Sequence, residues 1–117
     1  MNMKKVMVVF GTRPETIKLA PVLQAIKAKR PMLQEITVLS GQHTELLHPF
    51  VQFFGITVHH DLAVMVPQQT PAQVCACVLR LLEPILVQEQ PDLLLVQGDT
   101  ATALGGALAA IYQRVPG

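Results

Sequence analysis

Five consecutive apolar residues, Val6-Met7-Val8-Val9-Phe10, run straight into Gly11-Thr12-Arg13-Pro14-Glu15, and this junction constrains the fold more than any other feature. An unbroken apolar run reads as a strand buried on both faces, as in a parallel sheet covered by helices. The polar residues after it read as a helix start. Thr12 and Glu15 have capping-box spacing, and Pro14 falls in the first turn, where its missing N–H costs nothing. Polar strand-to-helix turns recur at Ser40-Gly41-Gln42-His43 and at Gly98-Asp99-Thr100. Open parallel sheets bind ligands beyond the carboxyl ends of their strands, so the three turns predict one site on one sheet edge.

The remaining pattern extends this alternation. Strands are expected over residues 4–10, 35–39, 57–60 (short) and 92–97, and helices over 14–28, 44–54, from Thr70-Pro71 onward, and over 102–112. Leu19, Val22, Leu23 and Ile26 give the first helix its inward face. Val74, Val78, Leu81 and Ile85 line the longest helix, with Leu79, Leu82 and Leu86 widening the stripe. Pro49 predicts a kink or late start in its helix, and Pro84 a bend. The order argues a doubly wound α/β domain with a parallel sheet. The chain stops at Val115-Pro116-Gly117, on the expected threshold of another strand, so the site is expected to be incomplete.

Composition narrows the possibilities. Its 117 residues suit one domain, and half of them are apolar with few aromatics, as in a sheet covered on both faces. A mean hydropathy of +0.40 points either to an efficient core or to apolar surface meant for a further domain or partner. The net charge is +1 and no basic stripe alternates with aromatics, which argues against nucleic acid as a partner. No continuous apolar run approaches the ~20 residues that span a bilayer, and the start is too short for a secretory signal. A cytoplasmic protein is expected. Cys75 and Cys77, two apart and without a second pair, read as buried structural thiols; His59 and His60 read as surface residues.

Each candidate site residue has two readings. Arg13, at the first helix N-terminus, either binds a phosphate with help from free N–H groups or is a solvated basic residue, as is Lys18. Asp99 is either a site carboxylate suited to proton transfer or the N-cap of the last helix. Gln42 and His43 either meet a ligand or only form a polar turn. Gly105 and Gly106 cost about 1 kcal/mol each within a helix, which close helix–sheet packing would justify. The chain contains no G-x-x-x-x-G-K-[ST] loop, no G-x-G-x-x-G fingerprint and no G-x-S-x-G elbow, which weakens ATPase, dehydrogenase and hydrolase readings.

Taken together, the motifs resemble one family. Phe10-Gly11-Thr12-Arg13-Pro14-Glu15 with Ile17-Lys18 and Ala20-Pro21 is similar to the opening of the non-hydrolysing UDP-N-acetylglucosamine 2-epimerases. Gly41-Gln42-His43, Asp61-Leu62 with Gln69-Thr70, Pro91-Asp92, Val96-Gln97-Gly98-Asp99-Thr100, Leu108-Ala109-Ala110 and Tyr112-Gln113 succeed it in the family's order. The resemblance implies that residues 1–117 are a truncated, Rossmann-like N-terminal domain of a two-domain glycosyltransferase-B-type fold, with the C-terminal domain absent. It implies interconversion of UDP-GlcNAc and UDP-ManNAc by anti elimination and re-addition of UDP, without a redox cofactor or metal, in cell-surface polysaccharide synthesis. The full-length protein would be a homodimer. Arg13 would hold the diphosphate with Lys18 in support, Asp99 would belong to the functional carboxylate set, and Gln42 and His43 would border a second, allosteric UDP-GlcNAc site. Glu45 and Gln68 depart from the family's pattern there. The family's His-Val-Glu-Ala-Gly-Leu-Arg stretch is missing, so residues 1–117 alone are expected to be inactive. The alternatives are a non-catalytic sugar-nucleotide-binding or assembly module, a hydrolysing 2-epimerase, whose opening resembles Gly-Thr-Arg-Ala-Asp-Tyr, and a related glycosyltransferase.

Overall fold

A computed structural model describes residues 3–41, 44–64, 69–98 and 100–117. The elements alternate as expected: β1 (Lys4–Phe10), α1 (Arg13–Ala28), β2 (Leu33–Leu39), α2 (Thr44–Phe53), β3 (His60–Asp61), α3 (Pro71–Glu89), β4 (Leu93–Leu95) and α4 (Ala101–Tyr112). The strands form one parallel sheet in the order β3-β2-β1-β4. β1 is therefore internal and paired on both sides, and its last five residues, Val6 to Phe10, are all buried.

Strand geometry sends alternate side chains to opposite faces. Val6, Val8 and Phe10 pack with Leu19, Leu23 and Ile26 of α1 and with Leu47 and Val51 of α2. Met7 and Val9 enter the other layer, with Val74, Val78, Leu82 and Leu86 of α3 and with Ala109 and Ala110 of α4. The sheet is thus doubly wound, and each fully buried Val or Leu contributes about 1.5–3 kcal/mol. Both α1 and α3 begin with complete capping boxes, Thr12 with Glu15 and Thr70 with Gln73, each with proline in the first turn.

Several expectations require correction. β3 is two residues long and begins at His60 rather than Thr57. The pairing on that side is carried by single bonds instead, from His59 N–H to Thr37 O and from Leu62 N–H to Leu39 O. β4 covers only Leu93–Leu95, because its register with β1 ends at Val8↔Leu95. On its other side, Leu94 N–H donates to Pro116 O at 2.8 Å. α2 starts at Thr44, as its expected span has it, so Pro49 lies inside the helix and does not delay its start; α3 runs through Pro84, and both prolines are exposed. The fully buried row of α3 is Val74, Val78, Leu82 and Leu86, whereas Leu81 and Ile85 are only partly buried.

Cys75 and Cys77 are half-buried rather than buried, and Cys77 Sγ accepts from Gln69 Nε2 at 3.6 Å. His59 and His60 are not simply solvated. His59 Nδ1 accepts from Thr37 N–H at 3.0 Å, and His60 Nε2 lies 2.9 Å from Glu89 Oε2. By length and composition α3 could also cross a bilayer, with 19 residues and a window hydropathy of 1.3. Reading the sequence for continuous apolar runs passes over this because Arg80 and Glu83 interrupt them. Here the helix covers the sheet.

The paired glycines of α4 have separate uses. A Cβ on Gly106 would lie 3.0 Å from Val96 Cγ1, at the helix–sheet contact. A Cβ on Gly105 would lie 2.8 Å from Cys75 O and 2.9 Å from Val78 Cβ, against α3. Helix propensity favours alanine at Gly105 by about 1 kcal/mol, but overpacking against backbone costs about 1–3 kcal/mol. Gly105→Ala is expected to destabilise the fold by about 1 kcal/mol net. A urea midpoint at or above that of the parent, with unchanged slope, would refute the close α3–α4 approach.

Candidate functional site

The loops that leave the carboxyl ends of the strands are held together by short polar contacts centred on Glu15. Its side chain is 2% exposed. Oε1 accepts from Gly11 N–H at 2.9 Å and from Thr12 N–H at 3.1 Å, while Oε2 accepts from the Thr100 hydroxyl at 2.5 Å. A buried carboxylate is costly unless its lone pairs are satisfied, and three donors satisfy this one. The result joins the β1–α1 turn to the start of α4, 85 residues away.

Thr100 has a second task. Its Oγ1 accepts from Ala103 N–H at 3.1 Å, which makes it the N-cap of α4. The alternative role weighed for Asp99, capping this helix, is therefore filled by its neighbour. The β2 turn closes on the same place. Ser40 N–H donates to Phe10 O at 2.9 Å, and a Cβ on Gly11 would collide with Ser40 Oγ and lie 3.3 Å from Thr102 Oγ1. Thr102 Oγ1 is buried without a hydrogen-bond partner among the described residues. The chain after β3 joins in through Val64 N–H, which donates to Ser40 O at 2.8 Å.

Arg13 stands on this edge as the first residue of α1, exposed to solvent. Among the described residues its guanidinium makes no ion pair; its Cζ lies 5.3 Å from the centroid of the Phe50 ring on α2. Lys18 is exposed on the same helix. Five helical positions separate the two by about 140° around the axis, so they present different faces. Gln42, His43 and Asp99, and also Gln68, lie outside the described residues; the flanking Gly41, Gly98 and Thr100 are described. Among the described residues no group of three His, Cys, Asp or Glu side chains could hold a metal ion.

Sequence pattern alone does not reveal the bridging role of Glu15, the cap at Thr100 or the contact of Phe50 with Arg13. Glu15 is visible there only as part of a helix cap, and the Thr100-x-x-Ala103 cap is hidden beside the more conspicuous Asp99.

Comparison with known proteins agrees with this geometry. The sequence pattern of the UDP-N-acetylglucosamine 2-epimerase family matches residues 24–117. The chain is similar to the UDP-N-acetylglucosamine 2-epimerase of Escherichia coli K12, 44% identical over 112 residues, covering 96% of this chain and 30% of that protein. The Bacillus subtilis enzyme is 38% identical over 115 residues, covering 98% and 30%. Among solved structures, the UDP-GlcNAc 2-epimerase of Neisseria meningitidis bound to UDP-GlcNAc superposes with a TM-score of 0.90 at 37% identity, over 96% of this chain and 30% of that one. The Methanocaldococcus jannaschii enzyme in complex with UDP-GlcNAc and UDP gives 0.86 at 29% identity, over 95% and 30%. The chain spans about 30% of the length of these relatives, and its four-stranded parallel sheet matches the corresponding part of their glycosyltransferase-B-like fold.

The Glu15 bridge makes a quantitative prediction. Glu15→Ala leaves the buried Gly11 N–H unpaired and removes a hydrogen bond to a charged group, an expected loss of about 3 kcal/mol, against about 1 kcal/mol for Glu15→Gln. Thr100→Val should cost at least about 1 kcal/mol less in the Glu15→Ala background than in the parent. Additivity in that double-mutant cycle, read from urea midpoints, would mean that the two turns are not coupled.

Proposed function

This chain belongs to the UDP-N-acetylglucosamine 2-epimerase family, and we propose that it is the N-terminal, Rossmann-like part of a cytoplasmic, two-domain enzyme interconverting UDP-GlcNAc and UDP-ManNAc. The observation that carries the reading is Arg13: an exposed cation without a carboxylate partner among the described residues, at a helix N-terminus on the ligand-binding edge of a parallel sheet. The Arg13 guanidinium, with its planar fork of N–H donors, suits a doubly charged leaving group. Of the solved relatives, one is bound to UDP-GlcNAc and another is in complex with UDP-GlcNAc and UDP.

In the proposed reaction a base removes the proton from the second sugar carbon while the bond from the first carbon to UDP breaks. A 2-acetamidoglucal remains. UDP then adds back to the first carbon as a proton reaches the second from the opposite face. No net oxidation occurs, so the chemistry calls for charge stabilisation and placed acids and bases. Arg13 stabilises the charge that builds on the departing diphosphate, and Lys18, on another face of the helix, adds only to the longer-range positive field. Asp99 is one of the proton-transfer carboxylates, and Gln42 and His43 border a second sugar-nucleotide site. Partner carboxylates come from the rest of the family's fold, and the full-length protein is a homodimer. A non-catalytic sugar-nucleotide-binding module is the second reading.

Residues 1–117 are expected to bind UDP without turnover, with Arg13→Ala weakening binding at least about tenfold, equivalent to about 1.4 kcal/mol. Calorimetric titration that finds no UDP binding, or an Arg13→Ala variant that binds equally well, refutes the diphosphate role. In deuterated water, residues 1–117 should place no deuterium at the second sugar carbon. A chain extended to the relatives' length should incorporate it with UDP-ManNAc formation, and its failure to do so would favour the module.

A further inference from the structure

We infer that Phe50 is a positioning residue for Arg13, holding the guanidinium at the sheet edge with its N–H donors free; the inference rests on the diphosphate role proposed for Arg13. The contact joins two elements, because Arg13 opens α1 and Phe50 belongs to α2. The 5.3 Å from Cζ to the ring centroid is within the ~6 Å range of cation–π attraction. Phe50 is half-buried, and with Ile17, Pro49, Phe53 and Phe54 it lines an apolar groove of about 400 Å³ between the two helices.

The arrangement answers a specific difficulty. A cation at a helix N-terminus is opposed by the helix dipole. The neighbouring carboxylate, Glu15, is already engaged with Gly11, Thr12 and Thr100. Among the described residues the ring of Phe50 is the group placed to offset that repulsion. Unlike a carboxylate, an aromatic face attracts the cation without taking up any of its five N–H donors. A salt bridge would have to be broken when a diphosphate arrives, whereas this contact can persist in the complex. It also restricts a side chain that otherwise loses much rotamer freedom on binding.

The test is calorimetric titration of UDP into the 117-residue chain and into Phe50→Leu, Phe50→Tyr, Arg13→Ala and the Phe50→Leu/Arg13→Ala double variant. Phe50→Leu is expected to weaken UDP about two- to fivefold, Phe50→Tyr to keep the parent affinity, and Phe50→Leu to have no further effect once Arg13 is alanine. In the ligand-free chain the Arg13 Nε–H proton should show an upfield ring-current shift by NMR that Phe50→Leu removes and Phe50→Tyr keeps. Parent affinity in Phe50→Leu, an equal loss in the Arg13→Ala background, or no ring-current shift overturns the positioning role alone. A parent chain that binds no UDP overturns the diphosphate reading and this inference with it, and the first titration separates that case from the others.

Discussion

A single buried carboxylate holds the sheet edge in shape. Glu15 sits at the carboxyl end of an internal strand, where Gly11 and Thr12 present backbone donors that no strand partner takes up. Left unpaired, each such donor would cost about 1–3 kcal/mol. The helix that starts there supplies the acceptor from its own first turn, so the local cap and the tertiary tie are one side chain. Its second oxygen reaches Thr100, and the first and last helices of the chain are thereby fixed relative to each other. The candidate ligand edge is the surface of that clasp.

Electrostatics on the edge depend on how completely the clasp is occupied. Glu15 is satisfied internally and, two positions along α1, faces a different side of the helix from Arg13, whose guanidinium remains exposed. By contrast, Arg30 at the opposite end of α1 is paired with the buried Glu35. Two arginines at the ends of one helix region thus have different fates: one closes a structural pair, and the other, among the described residues, keeps its donors available. Such a guanidinium is the simplest chemical argument that an anion belongs at this edge.

The β1–α1 junction is legible in the sequence because its information is local. A continuous apolar run, a capping-box spacing and a first-turn proline are each decided within a few residues, and all three features hold in the fold. The short strands are less legible because their length is set by neighbours. β4 ends where its register with β1 ends, and β3 is reduced to His60–Asp61 while single bonds from His59 and Leu62 carry the alignment. Arg13 can be singled out by its place in the pattern. Its aromatic partner cannot, since nothing in the sequence between α1 and α2 specifies which face of α2 meets which side chain. The link from Glu15 to Thr100 spans most of the chain and becomes visible only once the sheet is assembled.

The small residues of α4 connect this packing to the site. Gly106 lets the helix descend onto Val9 and Val96, while Gly105 lets α3 approach from the side. That approach fixes where α4 begins, and Thr100 caps it with an oxygen that also donates to Glu15. A hydrogen bond of 2.5 Å has little tolerance for displacement of its donor. A helix seated even an ångström farther from the sheet would lift Thr100 away from the carboxylate and leave Glu15 with a lone pair unsatisfied. The glycines that look like a cost to helix stability therefore help to keep the Thr100–Glu15 contact closed. Packing in the α3–α4 layer thereby reaches the shape of the sheet edge.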